Sequence, residues 1–199
     1  MEKKPLPERL NNKTYFFEDY PEFKPNLSPE EIFNKGAFGG TYFRPIYSSV
    51  TGKNYKNKHK EFEKYGWVKN LDVKKMVTSS ICDESINFYK VRAGSSLDAW
   101  EKSGWIDKID PYGWFQWYCR FFVGRRCYDD ERQIGRWNKY AGEYAGRYRR
   151  RLINMCINNN KEYNDFTVSP VIRQGLLHWA YELNLNDYKR HKKNKDEQN

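Results

Sequence analysis

Between Tyr112 and Phe122 ring side chains recur on every side of a helical wheel: Tyr112, Trp114, Phe115, Trp117, Tyr118, Phe121 and Phe122. A helix that is apolar all round is buried or lies at an interface. Asp110-Pro111 at its start and Gly124 at its end predict a helix from 110 to about Val123. Asp129-Asp130-Glu131 puts negative charge where a helix start favours it, and predicts a second helix to about Tyr140, stopping near Gly142. A third, from Glu143 to Asn158, carries Ile153, Cys156 and Ile157 on one face. Ser169-Pro170 opens a fourth through Leu183, with Ile172, Leu176, Trp179 and Leu183 at i, i+4, i+7 and i+11. Trp114, Phe115, Trp117, Phe121 and Trp179 are expected in the core.

The first half is less regular. Ser28-Pro29-Glu30-Glu31 combines an N-cap serine, a proline at the first helical position and a glutamate three residues after the cap, so a short helix is expected up to Gly36. Gly36, Gly39 and Gly40 permit tight turns, and Thr41–Phe43 and Ile46–Val50 suit short strands. Pro45 prevents a regular central strand across that stretch. Residues 52–64 carry seven Lys or Glu side chains and read as a solvated loop or short helix. Weak strand signals lie at Gly66–Val68 and Ile86–Val91, and a helical stretch begins at Ser96 and stops at Gly104. The expected fold class is α+β, an irregular, weakly stranded N-terminal half packed on a mainly helical C-terminal half. Residues 1–13 read as a flexible arm, 14–188 as one globular domain with its helical part at about 96–185, and 189–199 as a charged tail.

Charge changes this picture. The 199 residues carry 36 Lys and Arg against 26 Asp and Glu, a net charge of +10. That excess favours a polyanionic partner. Asn and Lys are abundant, as AT-rich coding produces, so Lys is the default cation and each Arg is an exception. Of 14 Arg, nine fall between Arg120 and Arg151, where Lys139 is the only Lys. Arginine is planar, forks onto carboxylate or phosphate and stacks on rings, so the substitution of type points to a geometric demand. Against that stands an internal lattice of ion pairs with Asp129, Asp130, Glu131 and Glu143.

Other chemistry is sparse. Cys82, Cys119, Cys127 and Cys156 have no CxxC spacing, so no metal site or disulfide framework is expected, and Cys119 and Cys156 read as core residues. No cofactor-binding motif occurs: the run Gly36–Arg44 lacks a following GK[ST] and reads as a turn. No Ser/His/Asp or Cys/His order is recognisable, His178 reads as a structural histidine in an apolar helix, and no catalytic residue is assigned. The start lacks an apolar stretch typical of a signal peptide, and no 18-residue apolar window occurs. An intracellular, non-secreted protein without a membrane partner is expected.

Three strings, Asp110-Pro-Tyr-Gly-Trp-Phe-Gln-Trp-Tyr-Cys-Arg-Phe-Phe with Gly124-Arg-Arg and Asp129-Asp-Glu-Arg-Gln-Ile-Gly-Arg-Trp137, Gly39-Gly-Thr-Tyr-Phe-Arg-Pro-Ile46, and Ser169-Pro-Val-Ile-Arg-Gln174 with Leu177-His-Trp179, resemble a family of uncharacterised proteins from fungi, algae and large DNA viruses. The resemblance spans most of residues 15–188 and implies one compact unit. It carries no site residue.

The residues themselves point to nucleic acid, DNA in preference to RNA, bound through phosphate contacts and stacking on rings. The expected surface comprises Arg147, Arg150 and Arg151 on one helix with Tyr144 and Tyr148, together with Arg125 and Arg126. Arg132 and Arg136 directly follow Asp129–Glu131 and are expected to be structural. The alternatives are a virion or scaffold protein that binds protein partners, or itself, through aromatic surfaces, and an enzyme that modifies nucleic acid.

Overall fold

The computed structural model describes residues 3–197; residues 1–2 of the expected arm and 198–199 of the expected tail lie outside the described residues. The class is α+β, mainly helical with short antiparallel strands. In chain order come β1 (Glu8–Arg9), β2 (Tyr15–Phe16), α1 (Pro29–Asn34), β3 (Ile46–Ser48), β4 (Lys53–Tyr55), a 3-10 turn at Lys58–Tyr65 and α2 (Val73–Met76). After them follow α3 (Leu97–Lys102), α4 (Trp114–Phe122), α5 (Asp130–Ala141), α6 (Arg147–Asn158), α7 (Pro170–His178) and α8 (Leu185–Asp196). β1 pairs with β2 and β3 with β4, each antiparallel.

Local rules account for several of these elements. Ser28 Oγ accepts the Glu31 backbone N–H while the Glu31 carboxylate accepts that of Ser28, the reciprocal cap expected from the sequence. Ser96 Oγ caps α3 by accepting the Ala99 backbone N–H. Gly36 and Gly40 have φ of +57° and +79°, and a Cβ at Gly40 would stand 2.0 Å from the Lys75 carbonyl oxygen. The glycine turn therefore exists for close backbone approach. The strands expected at Thr41–Phe43, Gly66–Val68 and Ile86–Val91 are turns and a 3-10 segment whose backbone is satisfied without a ladder: Phe43 N–H donates to the Val77 carbonyl, Lys69 N–H to that of Gly66, and Tyr89 N–H to Gln174 Oε1 at 3.1 Å.

Helix boundaries differ from expectation where long-range partners intervene. The Asp110 carboxylate does not cap α4, since it holds two guanidinium groups. Residues 110–113 close a turn instead, and Gly113, at φ +85°, starts the helix. Helix α6 begins at Arg147 because Gly146 N–H bonds the Gly142 carbonyl in a separate turn. Helix α7 stops at His178, since Ala180 takes φ of +54° and breaks the ladder. Part of the expected charged tail is α8, capped by Asn184 on the Asp187 N–H. Within the expected arm, Lys4 N–H bonds the Gly124 carbonyl and Arg9 pairs with Glu31.

The core is aromatic and continuous from Tyr15 to Tyr188. Phe23 sits at its centre, 5.0 Å edge-on to Trp137 and 5.8 Å from Trp117. Trp114, Phe115, Trp117 and Phe121 of α4 are buried, and Cys119 and Cys156 with them. Trp179 is only half-buried. Three buried indoles find acceptors: Trp117 donates to Asp130, Trp114 to the Gln133 carbonyl and Trp137 to the Trp179 carbonyl. Asp130 thus supports the core, and its role is not confined to the helix dipole. Among the described residues no helix is long and apolar enough to cross a membrane.

Candidate nucleic-acid interface

The arginines fall into two groups, according to whether a carboxylate meets them. Asp110 is fully buried and takes Arg120 at 2.8 Å and Arg125 through a two-pronged contact at 2.9 and 2.6 Å. Burial pushes the Asp110 carboxyl pKa up against the pull of both arginines. Arg120 also forks onto Glu61 at 2.6 Å on both prongs. Arg126 forks onto Asp19 and lies 3.7 Å over the Phe121 ring. The expectation that Arg125 and Arg126 belong to an open binding surface is therefore corrected. Asp110 and Asp19, remote in sequence for Arg126 and hidden as an apparent helix cap for Arg125, consume their charge. Arg132 forks onto Asp129, as its position predicts.

Helix α6 presents the second group. Arg147, Arg150 and Arg151 are exposed, and among the described residues no carboxylate lies within ion-pair distance of any of them. Positions i, i+3 and i+4 share one helix face. The neighbouring acids are engaged elsewhere. Glu143, four residues before Arg147, pairs with Arg190 at 2.8 Å, and Asp187 of α8 pairs with Arg190 and with the buried Arg149. Tyr148 orients Arg147: the guanidinium lies 5.0 Å over its ring and donates to its hydroxyl at 3.1 Å. Tyr144, at 84% exposure, offers a bare ring on the turn just before the helix. The first turn of α6 holds no acid, so its cations face the positive end of the helix dipole, an arrangement unfavourable to the free helix.

Arg136 departs from expectation. It lies seven residues after Asp129, beyond the i+4 reach of a local pair, and among the described residues no carboxylate meets it. Its guanidinium lies 5.4 Å over Trp105 and 5.3 Å over Trp179, and donates to the Trp105 carbonyl and Gln133 Oε1. Burial lowers its pKa to about 10, which leaves it charged at neutral pH. The signal in the sequence was Tyr140 at i+4 on the same helix face. Tyr140 stacks on Tyr148 at 4.2 Å and on Trp179 at 4.9 Å, so the rings from Arg136 to Tyr148 form one wall.

His178 stacks on Phe38 at 4.4 Å, and its Nε2–H donates to the Ala37 carbonyl, which can only accept. Desolvation lowers its pKa to about 4, so the ring is neutral. Among the described residues no cluster of metal-ligating side chains is present. Comparison with protein-family models, with curated proteins and with solved structures finds no match.

Proposed function

We propose that the protein binds nucleic acid along α6, with Arg147, Arg150 and Arg151 on successive phosphates and the Tyr144 ring against a base. The observation that supports this most is the set of three exposed arginines on one helix face whose nearby acids are all paired with other cations. The chain keeps these charges at a helix start, where the dipole opposes them, and a bound polyanion reverses that cost. The net charge of +10 draws such a partner in. Phosphate contacts carry no sequence information, so the expected binding tolerates many sequences. The exposed ring favours single strands, DNA before RNA, since unstacked bases are available there.

The test is fluorescence anisotropy with labelled single-stranded DNA, duplex DNA and RNA across a salt series. Affinity should fall with a log–log slope of about 0.7–0.9 per phosphate contacted. Changing Arg147, Arg150 and Arg151 together to Gln should remove up to about three phosphate equivalents from that slope. Full affinity in the triple variant, or a flat salt dependence in the native protein, would refute the assignment.

A further inference from the structure

Two cavities of about 390 and 360 Å³ adjoin one another in front of α7 and share Phe38, Tyr42, Ala93, Ser95, Trp100 and His178 as a common wall. The first is about half polar in its lining, more so than the second, and holds Arg44 and Arg92. The second is lined by rings, Trp105, Trp114, Tyr140, Tyr148 and Trp179 among them, and holds Arg136. Neither lining includes an Asp or Glu, and among the described residues none of these three arginines meets a carboxylate. The contrast with a third cavity of about 530 Å³ is instructive, because there Glu22, Glu143 and Asp187 stand among Arg149 and Arg190. One arginine in a ring-lined hollow and two in the hollow adjoining it, all without an acid, ask for a ligand that is both planar and anionic. A cage of rings alone would suit an organic cation, but Arg136 repels one.

We infer that the paired cavities hold a nucleotide, its base among the rings of the second and its phosphate on Arg44 and Arg92 in the first. Ring-lined pockets with a few fixed polar groups, of about 300–1,000 Å³, are the usual setting for such ligands. Arg136 supplies donors for the acceptor edge of the base. At the common wall, where the sugar passes, His178 offers Nδ1 as a bare acceptor, since its other nitrogen carries the proton bound to Ala37. Gly94 leaves that nitrogen open; a Cβ there would stand 3.3 Å from it. The site does not rest on the α6 reading, and only Tyr148 belongs to both.

Isothermal titration of the full chain with nucleoside monophosphates, the matching nucleosides and inorganic phosphate tests this. The monophosphate should bind saturably and more tightly than either fragment. Arg92→Gln and Trp105→Ala alter exposed side chains, so folding is preserved, and each should weaken monophosphate binding about tenfold or more. Arg44→Gln should act as Arg92→Gln does. Displacement by a 5′-phosphorylated oligonucleotide assigns the phosphate to a strand end, and failure to displace assigns a free nucleotide; either supports the shared chemistry. The inference is overturned if no monophosphate binds, if neither Arg92→Gln nor Trp105→Ala weakens binding, or if the Arg147/Arg150/Arg151 triple variant abolishes it. The last result would place the ligand on α6 instead, whereas loss of polynucleotide affinity with monophosphate binding intact separates the two sites.

Discussion

Replacing Asp110 by Asn tests the claim that Arg120 and Arg125 belong to the interior. The carboxylate is fully buried and accepts three guanidinium hydrogen bonds between 2.6 and 2.9 Å. Removing one partner of a buried pair costs about 3–5 kcal/mol, mostly because the opposite charge is left uncompensated. Two features pull the figure toward the low end here. Arg120 keeps both prongs on Glu61, and the Arg125 side chain, 26% exposed, can turn partly to water. Burial also raises the carboxyl pKa, so the charge was itself costly to hide. The expected loss is therefore about 3 kcal/mol, or a fall in Tm of about 6–12 °C for a chain of this size. Urea unfolding followed by far-UV dichroism, with the m-value held as a check on two-state behaviour, gives the number. Polynucleotide affinity of the folded variant should be unchanged. A loss below about 1 kcal/mol, or a variant that folds normally but binds nucleic acid several-fold more weakly, would return Arg125 to the binding surface.

Trp117→Ala should destabilise by about 3–5 kcal/mol in the same assay, since the ring is fully buried and its loss also removes one hydrogen bond to the Asp130 carboxylate; a variant with unchanged Tm refutes the packing. His178 has a folded pKa of about 4 against an ordinary 6.5, so below pH 6.5 the unfolded chain takes up a proton that the folded chain refuses. Stability should accordingly be lost as pH falls from about 6.5 to 4, by about 2 kcal/mol between pH 7 and 5, and His178→Gln should flatten that part of the profile. Arg150→Gln should leave stability unchanged or raise it by about 0.3–1 kcal/mol, because it removes a cation from the positive end of α6; clear destabilisation would reveal a partner inside the protein.

Features decided within a few residues were legible in the sequence. The Ser28 cap, the glycine turn, the Arg132–Asp129 pair and the exposed arginines of α6 all follow from neighbours on the chain. Features decided across the fold were not. Asp110 has the appearance of a helix cap, and only the return of Arg120 and Arg125 to it shows why α4 starts at Gly113. Helix α8 is too charged to declare itself by periodicity; it forms because Asp187 meets Arg149 and Tyr188 enters the core. By sequence Trp114 and Trp179 read as core residues and Tyr148 as part of a binding surface, and Trp105 carries no signal of its own. They come from four separate segments, and nothing local says that they surround a hollow.

The pairing of acids also explains how a modest excess of charge becomes directional. Asp19, Glu61 and Asp110 are drawn to Arg120, Arg125 and Arg126 at the end of α4, so these three arginines contribute little net field. Glu143 and Asp187 are likewise held by Arg190 and Arg149. Among the described residues the arginines left without an acid are Arg147, Arg150 and Arg151 on α6, Arg44, Arg92 and Arg136 around the two cavities, and the buried Arg173, whose guanidinium is taken up by the carbonyls of Val168, Tyr163 and Asp165. Tyr148 connects these sets, with Arg147 over its ring and its ring in the cavity wall. In a chain whose ordinary cation is Lys, arginine was kept both where a carboxylate had to be forked and where a planar cation had to stand beside an aromatic ring. Arg126 over Phe121 and Arg149 over Tyr181 make the second use within the fold and keep a carboxylate as well, whereas Arg136 and Arg147 stand beside rings with none, and it is there that the proposed anion would sit.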